Sequence, residues 1–198
     1  MLVSKRSKKL LLIGLIISFL FAILQFRASY DLASAYLVLA QEDPSKAYVS
    51  DETWYVPAAR NILREVFGVN VAGWPYPNEA NIENYLNTEH PPLGKYIISL
   101  SIIACGDEPL CWRLPGIIEA ALLVIIAFFV GWRLGGFIGG VSASLLIYLD
   151  PMTTNLGSVA MLDIHLTFFS ALTLLFLVYD KPFPALLTTG LALSVKYS

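Results

Sequence analysis

Only two cysteines occur in the 198 residues, Cys105 and Cys111. They are too few for a disulfide framework or a four-ligand zinc site, and no Cys/His cluster supplies further ligands. Charge is scarce as well: 14% of residues are charged, and 13 basic residues stand against 15 acidic ones for a net charge of −2. Neutralising nucleic-acid phosphates requires a basic surplus, so a nucleic-acid partner is excluded. There is no glycine-rich phosphate cradle, no Walker motif, no internal repeat and no low-complexity tract. Apolar residues, by contrast, make up 57% of the chain, and the mean hydropathy of +0.66 is far above that of a soluble domain of this size. Water alone is therefore not its solvent, and the apolar runs along the chain make the expected fold class all-α integral membrane.

The charges are unevenly spread. Residues 27–112 hold 11 of the 15 acids but only five bases, which marks them as a polar external loop within a single membrane domain, 1–198. Leu10 to Phe26 is uncharged and follows Lys5, Arg6, Lys8 and Lys9, so the positive-inside rule places the N-terminus in the cytoplasm. A signal peptide would begin alike, but the Ala-x-Ala-like site at Ala33–Ala35 lies well beyond the run, and the segment reads as a retained anchor. Tyr96 to Gly106 would reach only ~16 Å as a helix, about half of a crossing, and is expected to lie along the outer surface. Leu114 to Trp132 then descends, Arg133, Gly135 and Gly136 turn inside, Phe137 to Leu149 climbs, Ile164 to Tyr179 descends, and Pro182 to Val195 starts outward. That gives about five membrane helices. The competing topology lets Tyr96 to Gly106 cross and inverts everything after it, which turns Arg133 and Lys181 outward against the inside bias. In the first topology Cys105 and Cys111 can close an external disulfide; two unpaired thiols are the other reading.

Within the loop, apolar residues at helical spacing from Val56 to Phe67 oppose Arg60, Asn61, Arg64 and Glu65. The pattern predicts an amphipathic interfacial helix over 53–67, ended by Gly68, in a loop without a globular core. Gly73 to Asn78 reads as an aromatic turn in the headgroup zone. Asp51-Glu52 precedes the helix. Capping by Ser50, with acids complementing the helix dipole, competes with a chemical role; adjacent residues diverge by about 100°, so one carboxylate would act and the other support it. Glu89-His90-Pro91-Pro92-Leu93-Gly94-Lys95 presents His90 from a rigid strut beside two charged groups. Arg113 and Glu119 in the second span and Asp163 and His165 in the fourth are costly in lipid and either line a cavity or pair. Snorkelling is the plain reading for Arg113 and helix capping that for Asp163.

Asp51-Glu52 after one span, Glu89 to Lys95, Trp112-Arg113-Leu114-Pro115 and Ala160-Met161-Leu162-Asp163, in this order, resemble the N-terminal half of the dolichyl-phosphate-mannose protein O-mannosyltransferases. The related bacterial aminoarabinose transferases share the order. The resemblance covers residues 10–196 and implies a C-type glycosyltransferase fold: a membrane bundle with a large first external loop of amphipathic surface helices. It implies an enzyme of the cell membrane, with its active face outside, that moves a mannose-like sugar from a polyprenyl or dolichyl phosphate to a protein Ser/Thr or glycan hydroxyl with inversion. By the same resemblance Asp51 is the catalytic base, with Glu52 and Asp163 as further catalytic acids. Glu89, His90, Lys95, Arg113 and Lys196 then bind the carrier phosphate and sugar. No metal or other cofactor is indicated.

The chemistry asks for these residue types independently. A hydroxyl acceptor at neutral pH needs a carboxylate to take its proton, and a departing phosphate needs fixed positive charge. The relatives continue with many more helices, and some carry an arginine where this chain has Ser158 and Val159. The chain is therefore expected to be the N-terminal portion of such an enzyme, or one part of a split enzyme completed by a second membrane subunit. A noncatalytic subunit that binds a lipid carrier or scaffolds a partner is the alternative; a small transporter ranks below both, since Glu119 is the sole deep charge. The sugar-transfer reading requires Asp51 and Asp163 to meet at the outer rim.

Overall fold

The computed structural model describes residues 5–71 and 85–197. Among the described residues every regular element is helical: α1 (Lys5–Glu42), α2 (Glu52–Glu65), α3 (Leu93–Cys105), α4 (Pro109–Leu149), α5 (Pro151–Gly157), α6 (Leu162–Val178) and α7 (Pro182–Leu193). A single 3-10 turn, Pro44–Lys46, follows α1. By length and composition α1 and α4 can cross a membrane, and α5 with α6 makes a third span if the pair, bent by 119°, is counted as one. The aromatic turn expected at Gly73 to Asn78 lies outside the described residues.

α1 runs on well past the expected end of its span at Phe26. No glycine or proline interrupts the sequence between Gly14 and Pro44, so nothing breaks the hydrogen-bond ladder where the apolar run stops. The first part of the polar stretch that starts at Arg27 is therefore helical, and irregular backbone begins only at Asp43. α4 is two helices that fold back on each other. Gly135 and Gly136 leave helical geometry, Gly136 with φ 62°, a value that suits glycine because it has no Cβ to clash. The arms meet closely. A Cβ on Gly131 would collide with the Gly139 carbonyl, Gly140 lies against Phe128, and the Ser144 hydroxyl, which the Val124 carbonyl accepts at 3.1 Å, also bonds Ser18 at 2.9 Å.

These contacts give the helix directions. Gly14 meets Phe128 and Phe137 while Ala33 meets Arg113, so α1 is antiparallel to the first arm of α4. α6 descends alongside that arm, with His165 beside Glu119 and the Tyr179 hydroxyl on the Phe129 carbonyl. α7 returns, tied by Thr173–Thr188 and Lys196–Asp163. One end of the bundle thus collects Ala33, Arg113, Leu162, Asp163 and Lys196, and the other the Gly135–Gly136 turn, Arg133 and Asp180.

α3 lies across the first of these ends. The Leu93 amide donates to Ser194 O at the close of α7, and Cys105 is joined to Cys111 at the opening of α4. α2 packs over α3, where the Ser99 hydroxyl donates to Ala59 O at 2.9 Å. Between them sits a core of Tyr55, Val56, Ala59, Leu63, Ile98, Ile102, Trp112, Leu162 and Val195, which corrects the expectation of a loop without one. The interfacial-helix reading also changes: Arg60 and Asn61, expected to face outward, are buried. Each finds fixed partners that offset its desolvation, Arg60 on Asp107 and Asn61 on the Tyr85 carbonyl. α2 ends as expected at the Gly68 turn, where φ is 65° and the Val69 amide returns to Leu63 O.

Candidate active site

Asp51 and Glu52 open α2, and one helical step sends their side chains apart. Ser50 does not cap the helix. It has φ 56°, and Glu52 instead reaches back to accept the Val49 amide at 2.8 Å. Glu52 is wholly buried. Its Oε1 accepts Arg113 Nε at 2.8 Å and the Ala160 amide at 2.7 Å, while Oε2 takes Arg113 Nη2 at 2.7 Å as well as Val49. Four donors from three separate segments satisfy one carboxylate, about the full capacity of the group.

Arg113 is equally committed. Beyond the fork to Glu52 it donates to Ala33 O at 3.2 Å and Ala47 O at 3.0 Å, and its guanidinium lies 5.5 Å from the centroid of the Tyr36 ring. It is neither a snorkelling anchor nor open to a ligand, because four of its N–H bonds are made inside the protein and the side chain is fully buried.

Asp51, by contrast, is only partly buried. It faces a cleft of about 340 Å³ lined by Trp54, Tyr55, Tyr85, Asn87, Glu89 and His90. The Tyr55 hydroxyl, one helical turn on, donates to Asp51 Oδ2 at 3.4 Å. Burial pushes the Tyr55 phenol up, and the charges of Asp51 and then Asp163 push it further. Both acids therefore act on one ring at one end of the bundle. Asp163 is not among the residues lining the cleft; it caps nothing and pairs with Lys196 at 3.0 and 3.2 Å, both side chains partly exposed.

His90 stands on the cleft wall with its ring edge-on to Tyr55, centroids 6.0 Å apart, and its Nδ1 is buried without a hydrogen-bond partner among the described residues. Glu89 is exposed at the rim. Lys95 does not open onto this space. Its Nζ is buried and donates to the carbonyls of Asn87 and His90, the latter at 2.8 Å, so it braces the turn that carries Glu89 and His90.

Burial holds the Lys95 ammonium down at about 8, against a smaller upward pull from Glu89. A lysine depressed on folding binds its proton more weakly than the unfolded chain does. Its cost to stability is therefore greatest below pH 8 and is relieved between about 8 and the ordinary value near 10.4. Wild type is expected to gain stability relative to Lys95→Met as pH rises from 7.5 to 10, read as the difference in melting temperature. A constant difference would show that the ammonium is not desolvated.

Sequence reasoning missed Tyr55, Tyr85 and Asn87, and it paired neither Glu119 with His165, 2.5 Å apart, nor Arg60 with Asp107. Tyr55 was legible as the i+4 neighbour of Asp51. The others are joined only across the fold. Among the described residues no three His, Cys, Asp or Glu side chains gather as a metal site.

The chain is 26% identical over 136 residues to the polyprenol-phosphate-mannose–protein mannosyltransferases of two strains of Mycolicibacterium smegmatis, ATCC 700084 / mc(2)155 and MKD8. The match takes in 67% of this chain and 24% of each relative. The chain thus spans about a quarter of the length of the curated relatives it matches. No protein-family model and no solved structure matches it. The likeness is distant, and together with the apolar helices it agrees with a membrane glycosyltransferase at that coarse level.

Proposed function

We propose that these residues form the base-bearing end of an inverting membrane glycosyltransferase that takes a mannose-like sugar from a polyprenyl-phosphate carrier, on the extracytoplasmic side, and passes it to a protein hydroxyl. The observation that carries the reading is the contrast between neighbours. Asp51 is open in a cleft walled by aromatic rings, while Glu52 beside it is sealed and fully bonded.

In this reaction the acceptor oxygen attacks the anomeric carbon from the side opposite the phosphate. The bond between that carbon and the phosphate oxygen breaks, and its electron pair leaves with the phosphate. The hydroxyl proton passes to an Asp51 oxygen. A single displacement inverts the anomeric centre, and no carboxylate bonds to the sugar.

Glu52 and Arg113 are then positioning residues. They fasten the start of α2 to α4 and, through the Ala160 amide, to the segment leading into Asp163. With Lys95 and Arg113 committed inside the protein, Lys196, its side chain 24% exposed and paired with Asp163, is the cation of that set left to meet the departing phosphate, and His90 on the cleft wall is the candidate for a second donor. Lys95 keeps the His90 turn in shape.

The test is transfer of labelled mannose from a polyprenyl-phosphate donor to a Ser/Thr-rich peptide by membranes carrying the chain, with and without co-expressed neighbouring membrane proteins. The expected product has the anomeric configuration opposite to the donor's. Retention would remove the single-displacement mechanism. Carrier binding without transfer in every combination would favour a noncatalytic carrier-binding subunit.

A further inference from the structure

Arg60 lies two turns along α2 from Asp51 and takes no part in the cleft, yet it is 5% exposed. Its Nε and Nη2 form a fork on the Asp107 carboxylate at 2.5 and 2.7 Å, and Nη1 donates to the Tyr48 hydroxyl at 2.8 Å. The guanidinium also sits 4.7 Å from the centroid of the Trp112 ring, which stacks on Tyr48 with centroids 5.2 Å apart. Trp112 Nε1 donates to the same Asp107 at 2.7 Å.

Two features make this more than a buried ion pair. Asp107 belongs to the short turn closed by the Cys105–Cys111 disulfide, so a covalent link fixes where its carboxylate stands. Tyr48 and Arg60, in turn, flank Asp51 in sequence on either side. Tyr48 sits in the strap whose neighbours Ala47 and Val49 bond Arg113 and Glu52. Whatever holds Asp107 thereby holds both approaches to Asp51.

We propose that Arg60 and Asp107 are positioning residues for Asp51, clamped in register by the Cys105–Cys111 disulfide. The proposal rests on the reading of Asp51 as the base. Opening the clamp requires a dithiol, which supplies two electrons and two protons: the S–S bond breaks into two thiols and the reagent closes to its own disulfide. The freed turn no longer confines the Asp107 carboxylate, and a bidentate bond is sensitive to such misplacement.

Hydrogen exchange of the whole chain in detergent reads the clamp without depending on catalysis. Reduction with dithiothreitol is expected to speed amide exchange across 52–63 by about tenfold or more while the amides of α6 and α7 hold their rates. Asp107→Asn should do the same. Because both act on one device, reduced Asp107→Asn should exchange no faster than the more affected of the two single cases. Should that variant fail to accumulate, Arg60→Lys, which keeps one of the bonds, takes its place.

No change on either treatment overturns the proposal, and so does a combined effect equal to the product of the two. In the mannose-transfer assay reduction should lower kcat and leave the donor KM unchanged, as a displaced base would. If the exchange pattern holds and the untreated chain transfers nothing, the clamp stands and the transferase reading fails.

Discussion

Asp51→Asn is expected to lower mannose transfer by ~10²- to 10⁴-fold while the protein accumulates normally, the range that a positioned general base contributes. The substitution keeps the size and polarity of the side chain and removes only its ability to take a proton. Among the described residues Asp51 makes one long side-chain hydrogen bond, from Tyr55, and provides no side-chain cap to α2, so little of the described fold depends on it. The loss should fall on kcat, with the donor KM held within a few-fold, because the base acts on the acceptor proton in the transition state. Tyr55→Phe is the companion control. It removes the hydroxyl that touches the base and should reduce transfer far less. Normal turnover by Asp51→Asn would remove the base assignment, and an unfolded variant would show that Asp51 is structural after all.

The largest effect on stability belongs to the neighbouring pair. Arg113→Met leaves the Glu52 carboxylate fully buried with no countercharge, a change that costs about 3–5 kcal/mol when a buried ion pair loses one member. The amides of Val49 and Ala160 still donate to Glu52, which keeps the loss within that range. Replacing both charges tells more. The double variant Glu52→Gln/Arg113→Met no longer buries a charge, and it should be more stable than Arg113→Met alone, a coupling of about 0.5–3 kcal/mol in a double-mutant cycle. Unfolding in detergent, followed by circular dichroism, measures both. Additive losses would mean that the contact between Glu52 and Arg113 contributes nothing of its own.

These two results would separate roles that adjacency in sequence conceals. Asp51 and Glu52 are chemically alike and one residue apart, and either could have been the acting group. A helix turns them into different surroundings: one into an aromatic-walled cleft, the other onto an arginine beneath it. Lys95 and Arg113 show the same division. Both are cations in motifs that resemble a phosphate site, yet the nearest acceptors are the protein's own carbonyls and carboxylate, which are covalently tethered and already in place. Lys196 alone of those three keeps a partly open ammonium.

Legibility followed the range of the interactions involved. Apolar run length, the glycine pair at 135–136 and the glycine at 68 act within a few residues, so the short length of α3, the hairpin of α4 and the end of α2 were all readable from the sequence. The continuation of α1 to Glu42 is written in the absence of a breaker, although the apolar run stops at Phe26. A membrane boundary concerns the side chains, whereas a helix ends only where its backbone ladder is interrupted.

What the sequence alone determined, then, is that this chain is helical, built for lipid, and carries most of its acids in one segment. Tertiary structure decided which of those charges are available. Whether a buried carboxylate is a tool or a fastener depends on which cation, amide or ring stands within about 3 Å of it. Those partners come from 46 to 108 positions away, as His165 for Glu119, Arg60 for Asp107, and Ala160 for Glu52. No local pattern encodes such separations, because they are set by how the helices pack and not by the order in which residues occur.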